Sequence, residues 1–105
     1  MKIGKTEFTK QVAVNANTSV VRAEEMVDAV FSTLRECLSE GMNVTIPGFG
    51  RFYVYRSQPR NSTNPRTHEE IVVPAYNRAG IRYSTQFVEE LKNNENLTKV
   101  LEAGE

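Results

Sequence analysis

From Val20 to Leu38 the apolar side chains Ala23, Met26, Val27, Val30, Phe31, Leu34 and Leu38 recur with a 3.6-residue rhythm. Glu24, Glu25, Asp28, Arg35 and Glu36 fill the opposite face. Ser19 is the predicted N-cap, and Gly41 supplies the stop just past the end. A shorter helix precedes it. Thr6 is its expected N-cap, and Phe8, Val12 and Ala13 stand at helical spacing. Asn15-Ala16-Asn17-Thr18 reads as the turn between the two. One short partner cannot cover the wide apolar stripe of the long helix.

The period then falls to two. Val44 and Ile46 alternate, and a Pro47-Gly48-Phe49-Gly50 corner follows. Phe52, Val54 and Arg56 fall on one face of the next strand, Tyr53 and Tyr55 on the other. Pro59 has no N–H to donate and marks an edge. Asn61-Ser62-Thr63-Asn64-Pro65 is dense in turn formers, and Ile71–Val73 is the return strand. Arg78 to Tyr83 predicts a further strand, broken near Ala79-Gly80. Ser84 or Thr85 caps a third helix with Phe87, Val88 and Leu91 on its inner side. Leu97, Val100 and Leu101 fit one more short helix.

With 105 residues the chain is expected to form one domain. A chain this short buries only about 60–65% of its unfolded surface, so association is an easy remedy for a marginal core. One cysteine excludes an internal disulfide, and Cys37 reads as a small core residue. No apolar run approaches the roughly 20 residues of a membrane span. The opening MKIGKTEF lacks the apolar region of a secretory signal. The net charge of zero hides an asymmetry. Residues 51–85 carry six arginines against two glutamates, whereas residues 86–105 carry two lysines against five glutamates. Local fields follow local charge, so an anionic partner for the middle segment is compatible with neutrality.

Three features together resemble the HU / integration host factor family of bacterial DNA-bending proteins. They are the helix pair ending in Leu38-Ser39-Glu40-Gly41, the Pro47-Gly48-Phe49-Gly50-Arg51-Phe52 corner, and Arg60-x-x-x-Asn64-Pro65-x-Thr67. The resemblance covers residues 3 to 92. It implies an α+β fold with an N-terminal helix pair, a three-stranded antiparallel sheet, a long protruding β-ribbon arm at about residues 55–73, and a short C-terminal helix. It also implies an intertwined homodimer, with Val30, Phe31, Leu34, Phe49 and Phe52 in the shared core. Residues 1–93 would be the DNA-binding domain and 94–105 an acidic tail. The implied partner is double-stranded DNA, and the implied location is the nucleoid in the cytoplasm.

Within that frame Pro65 is the expected intercalating wedge at the arm tip. Arg56, Arg60 and Arg66 are the expected charge contacts, since arginine fits phosphate bidentately. Arg56 and Arg60 share parity and so would share a face of a regular strand. Lys5, Arg51 and Arg82 would add contacts from the body. Asn64 either reaches a groove edge or only holds the turn. Gly48 and Gly50 let backbone come close either to DNA phosphate or to packed protein. Tyr53 and Tyr55 are expected to pack across the sheet rather than to stack on bases.

Enzymatic chemistry is not expected. His68 is the lone histidine, and with one cysteine it makes no metal site. Glu69 and Glu70, as strand neighbours, would point to opposite faces. No cofactor, small-molecule substrate or membrane partner is expected. The chain also departs from the family pattern. Thr63 stands where relatives carry arginine, Ser62 and His68 replace tip glycines, and Tyr55, Ser57, Glu69 and Thr85 occupy positions that tend to be basic. Arg78-Ala79-Gly80-Ile81 replaces the usual Val-Pro-x-Phe run. The rival expectation is an HU-like structural or protein-interaction module with weak DNA affinity.

Overall fold

The computed structural model describes residues 2–104. Helix α1 spans Lys5–Asn15 and α2 spans Val20–Ser39. Thr6, the expected cap of α1, lies inside the helix; the N-cap is Gly4, which makes no side-chain cap bond. The helix starts earlier because the Gly4 carbonyl already accepts from the Phe8 N–H at 3.0 Å. Lys5 also ties that first turn to Asp28 of α2 at 2.7 Å.

The ends of α2 follow the sequence. Ser19 Oγ accepts from the Arg22 N–H at 3.2 Å. At the other end Gly41 takes φ +84, its N–H reaches the Leu38 carbonyl, and the Met42 N–H reaches that of Cys37. These paired bonds are a Schellman motif, which needs a left-handed residue where only glycine is free of strain.

Strands β1 (Val44–Ile46), β2 (Gly50–Arg56) and β5 (Asn77–Tyr83) form an antiparallel sheet in the order β1-β2-β5. The β1–β2 turn has Pro47 and Gly48 at its centre, with the Phe49 N–H donating to the Ile46 carbonyl at 3.0 Å. Gly48 has φ +80, the value that the third residue of a type II turn requires. Its freedom therefore serves the turn.

Strands β3 (Arg60–Thr63) and β4 (Glu70–Val73) form a separate two-stranded ladder. Asn61, Ser62 and Thr63, expected in the turn, belong to β3 and pair with Val72, Ile71 and Glu70. Backbone pairing outweighs their turn preference there, and the reversal is confined to the residues after Thr63. The expected break at Ala79-Gly80 is absent. β5 runs unbroken, because Gly80 answers a packing demand and not a turn. A Cβ at Gly80 would lie 2.7 Å from Cζ and Oη of Tyr53, whose ring covers it from β2.

Helices α3 (Thr85–Lys92) and α4 (Glu95–Glu102) close the chain. Ser84, not Thr85, caps α3 by accepting from the Phe87 N–H at 3.2 Å, and Asn94 Oδ1 caps α4 through the Leu97 N–H at 3.0 Å. The Phe87 ring stacks on Phe49, with centroids 5.6 Å apart, and meets Tyr83 edge-on at 5.5 Å.

Among the described residues the apolar side chains buried within the protomer are small: Ala13, Ala23 and Val27, with Thr9 of α1 buried too. The radius of gyration is 19.2 Å; a compact domain of this length has about 13 Å. An open apolar groove of about 780 Å³ runs between α2 and the sheet, with Val30, Phe31, Leu34, Phe49, Phe52 and Ile81 among its walls. In this lone protomer Val30 is 61% exposed and Phe31 49%.

Gly50 is buried where β2 meets the end of β5. A Cβ there would sit 2.8 Å from the Arg82 carbonyl oxygen and 3.2 Å from the Tyr83 Cα. Both obstacles are backbone, so the strands themselves must part. Gly50→Ala is expected to destabilise the fold by about 1–3 kcal/mol in chemical unfolding. An unchanged midpoint would show that the two strands yield at no cost.

Candidate nucleic-acid interface

β2 and β5 lead directly into the arm. The ladder stops at Arg56 and Asn77 and resumes at Arg60 and Val73, so the strand is interrupted at Ser57–Pro59. Pro59 and Pro74 stand in the two interrupted segments, and neither can donate a ladder bond. Ser57 and Tyr76 bridge the gap: the Ser57 N–H donates to the Tyr76 carbonyl at 2.9 Å, and the Tyr76 N–H to Ser57 Oγ at 3.1 Å. Pro59 therefore lies outside any strand, where an edge strand was expected. The parity that linked Arg56 to Arg60 fails for the same reason, since the regular alternation does not continue through residues 57–59.

The reversal runs from Asn64 to Glu69. The Asn64 N–H donates to the Glu69 carbonyl and the His68 N–H to the Asn64 carbonyl, both at 2.8 Å. Asn64 Oδ1 accepts from the Arg66 N–H at 2.9 Å. Its oxygen thus holds the turn, and its amide NH₂ is the part left to reach outward. His68 takes φ +59. It therefore adopts a left-handed backbone, which glycine takes more freely, at a cost on the order of 1 kcal/mol. Pro65 and Arg66 are exposed at the apex.

The arginines differ in how far they are committed. Arg56 donates to Asn77 Oδ1 at 2.8 Å and to the Ala75 carbonyl at 3.4 Å, which fixes it across the root of the arm. Among the described residues the ion pairs are Lys5–Asp28, Lys10–Glu7 and Lys92–Glu89, none with an arginine. Lys5 is thus placed on the body but engaged, and its hydrogen bond to Asp28 raises its pKa above the ordinary value. Any phosphate approaching Lys5 competes with that carboxylate.

Arg51 and Arg82 are cross-strand partners in β2 and β5. Neither strand contains an acidic residue. Like charges placed opposite each other oppose folding, and an anion relieves them. The same face continues through Tyr53 opposite Gly80 and Tyr55 opposite Arg78. The Tyr53 and Tyr55 rings lie 5.8 Å apart along β2, and the Tyr53 ring also covers Gly80 across the sheet. The other face of β2 carries Phe52 into the apolar groove. Arg78 and Tyr76 were not anticipated as part of this surface. Arg78 shares the parity of Arg82, four residues on, and that spacing was the available signal.

A helical body, a sheet face whose arginines form no ion pair among the described residues, and a proline-tipped two-stranded arm define a β-ribbon binder of nucleic acid. A family model described as "Bacterial DNA-binding protein" matches residues 3–92. DNA-binding protein HU of Xylella fastidiosa is 40% identical over 80 residues, covering 76% of this chain and 85% of that protein. The SPbeta prophage-derived DNA-binding protein HU 2 of Bacillus subtilis is 41% identical over 73 residues, covering 70% and 79%. Anabaena HU, solved in a cocrystal with DNA, superposes with a TM-score of 0.79 at 28% identity, covering 88% of this chain and all of that one. The chain belongs to the bacterial DNA-binding protein family of HU and integration host factor. Helix α4 lies beyond the matched residues. Among the described residues no helix is long and apolar enough to cross a membrane.

Proposed function

We propose that the chain works as an intertwined homodimer that binds and bends double-stranded DNA in the nucleoid, within the cytoplasm, and catalyses no reaction. The two arms enter the minor groove and Pro65 of each slips between base pairs. HU and integration host factor are themselves the known cases of such wedging. The observation that carries the reading is the apex: an exposed proline, fixed by the Asn64 turn, at the end of a ladder bearing Arg60 and flanked by Arg66.

Arg60, Arg66 and the Asn64 amide then line the groove, while Arg56 keeps the root rigid and adds charge there. Arg51, Arg82 and Lys5 meet phosphate from the body. Gly48 leaves open space at its turn, with Gln86 Oε1 4.0 Å from where a Cβ would stand, so a phosphate can approach the backbone. Val30, Phe31, Leu34, Phe49 and Phe52 form the shared core with the second protomer. Residues 1–93 are the binding domain, and the acidic segment 94–105 repels phosphate.

Pro65→Ala tests the wedge. Unstacking costs energy that the added contacts return, so affinity and bending respond differently. The substitution is expected to reduce the bend measured by end-to-end energy transfer while binding stays detectable. An unchanged bend would mean that the tip does not intercalate.

A further inference from the structure

The Arg78 guanidinium lies 5.8 Å from the centre of the Tyr55 ring and 5.5 Å from that of Tyr76. Both distances fall within the roughly 6 Å over which a ring face attracts a cation. Arg78 is exposed and, among the described residues, forms no ion pair. The tyrosines restrict where the guanidinium sits without consuming its hydrogen-bond donors, because the ring face attracts charge and accepts no planar fork. The side chain is held in place while its fork remains free.

Its position matters as much. Arg78 pairs with Tyr55 in the register that places Arg82 opposite Arg51, and all four belong to one face of the sheet. Arg78 and Arg82 are four residues apart on one strand, hence about 13 Å. That separation addresses distinct phosphates and not one. The row ends at Tyr76, whose backbone bonds to Ser57 close the root of the arm.

We propose that Arg78, positioned by Tyr55 and Tyr76, is a phosphate-binding residue at the root of the arm. It extends the Arg51–Arg82 pair into a basic row on which the DNA backbone lies as it leaves the groove. The proposal rests on the DNA-binding reading above and adds a contact to it.

The test is a salt titration of duplex binding with the full-length dimer, its fold and mass checked by circular dichroism and light scattering. Each phosphate contact contributes about 0.9 to the slope of log K against log salt, so Arg78→Ala should flatten it by about 1.8 per dimer. Arg78→Lys should keep the slope but bind more weakly, since an ammonium cannot fork to a phosphate. Tyr55→Leu with Tyr76→Leu should weaken binding at a retained slope. Arg22→Ala, at the first turn of α2, removes the same charge away from this face and should leave the slope nearly unchanged. If Arg78→Ala leaves the slope intact, or lowers it no more than Arg22→Ala does, the assignment of Arg78 is overturned and DNA binding by the arm stands. If the unmodified dimer fails to bind duplex DNA, the wider reading falls and this one with it.

Discussion

Phe49→Ala should cost about 3–5 kcal/mol, the range for removing a ring from a closed core, and should raise the protein concentration at which the dimer falls apart. Within one protomer the ring already meets Phe52, Tyr83 and Phe87 at centroid distances of 6.3, 5.8 and 5.6 Å. It nevertheless remains 40% exposed, on the wall of the open groove. In the proposed dimer the second protomer completes its burial. The substitution therefore removes packing on both sides of the interface, twice per dimer. Light scattering and equilibrium unfolding at several concentrations report both effects. A loss of a few tenths of a kcal/mol, or a folded monomer at micromolar concentration, would show that the groove is not the shared core.

Duplex binding should fall at least about a thousandfold between 50 and 200 mM salt, the share owed to the arm alone. Arg56, Arg60 and Arg66, doubled in a dimer, give a slope of about five when each neutralises one phosphate. The salt dependence of a binding isotherm checks this, and a slope near one would remove the arm from the interface. Thr63→Arg should steepen the dependence, but with a complication that the register supplies. Thr63 faces Glu70 across the ladder. An arginine there would divide its charge between that carboxylate and the DNA. Combining it with Glu70→Gln should therefore tighten binding beyond the sum of the two single changes.

Much of the architecture follows from periodicity. The rhythm of α2, its Ser19 cap and Gly41 stop, and the shift to alternation at Val44 are local signals, and helix, cap, stop and strand each form where they predict. The misread positions are those where a distant partner decides. Gly80 looks like a strand breaker until Tyr53 is placed over it. Asn61, Ser62 and Thr63 look like a turn until Ile71 and its neighbours pair with them. Thr6 looks like a cap, but the tie between Lys5 and Asp28 helps to start the helix sooner. At the site, sequence shows which residues carry charge. It does not show that Arg56 is already bound to Asn77 and Ala75 while Arg78 lies over two rings.

The thin core of the single protomer bears on how the protein acts at low abundance. Among the described residues the buried apolar side chains of one protomer are the small Ala13, Ala23 and Val27, so a lone chain is expected not to stay folded. Folding and assembly are then one second-order event, and the stability of the product depends on how much chain is present. Well below the concentration at which half the chains are paired, the amount of DNA-competent protein rises with the square of total chain. Halving synthesis would remove about three quarters of the active species by the same mass action. Occupancy of DNA would then respond to the square of expression level and not in proportion to it.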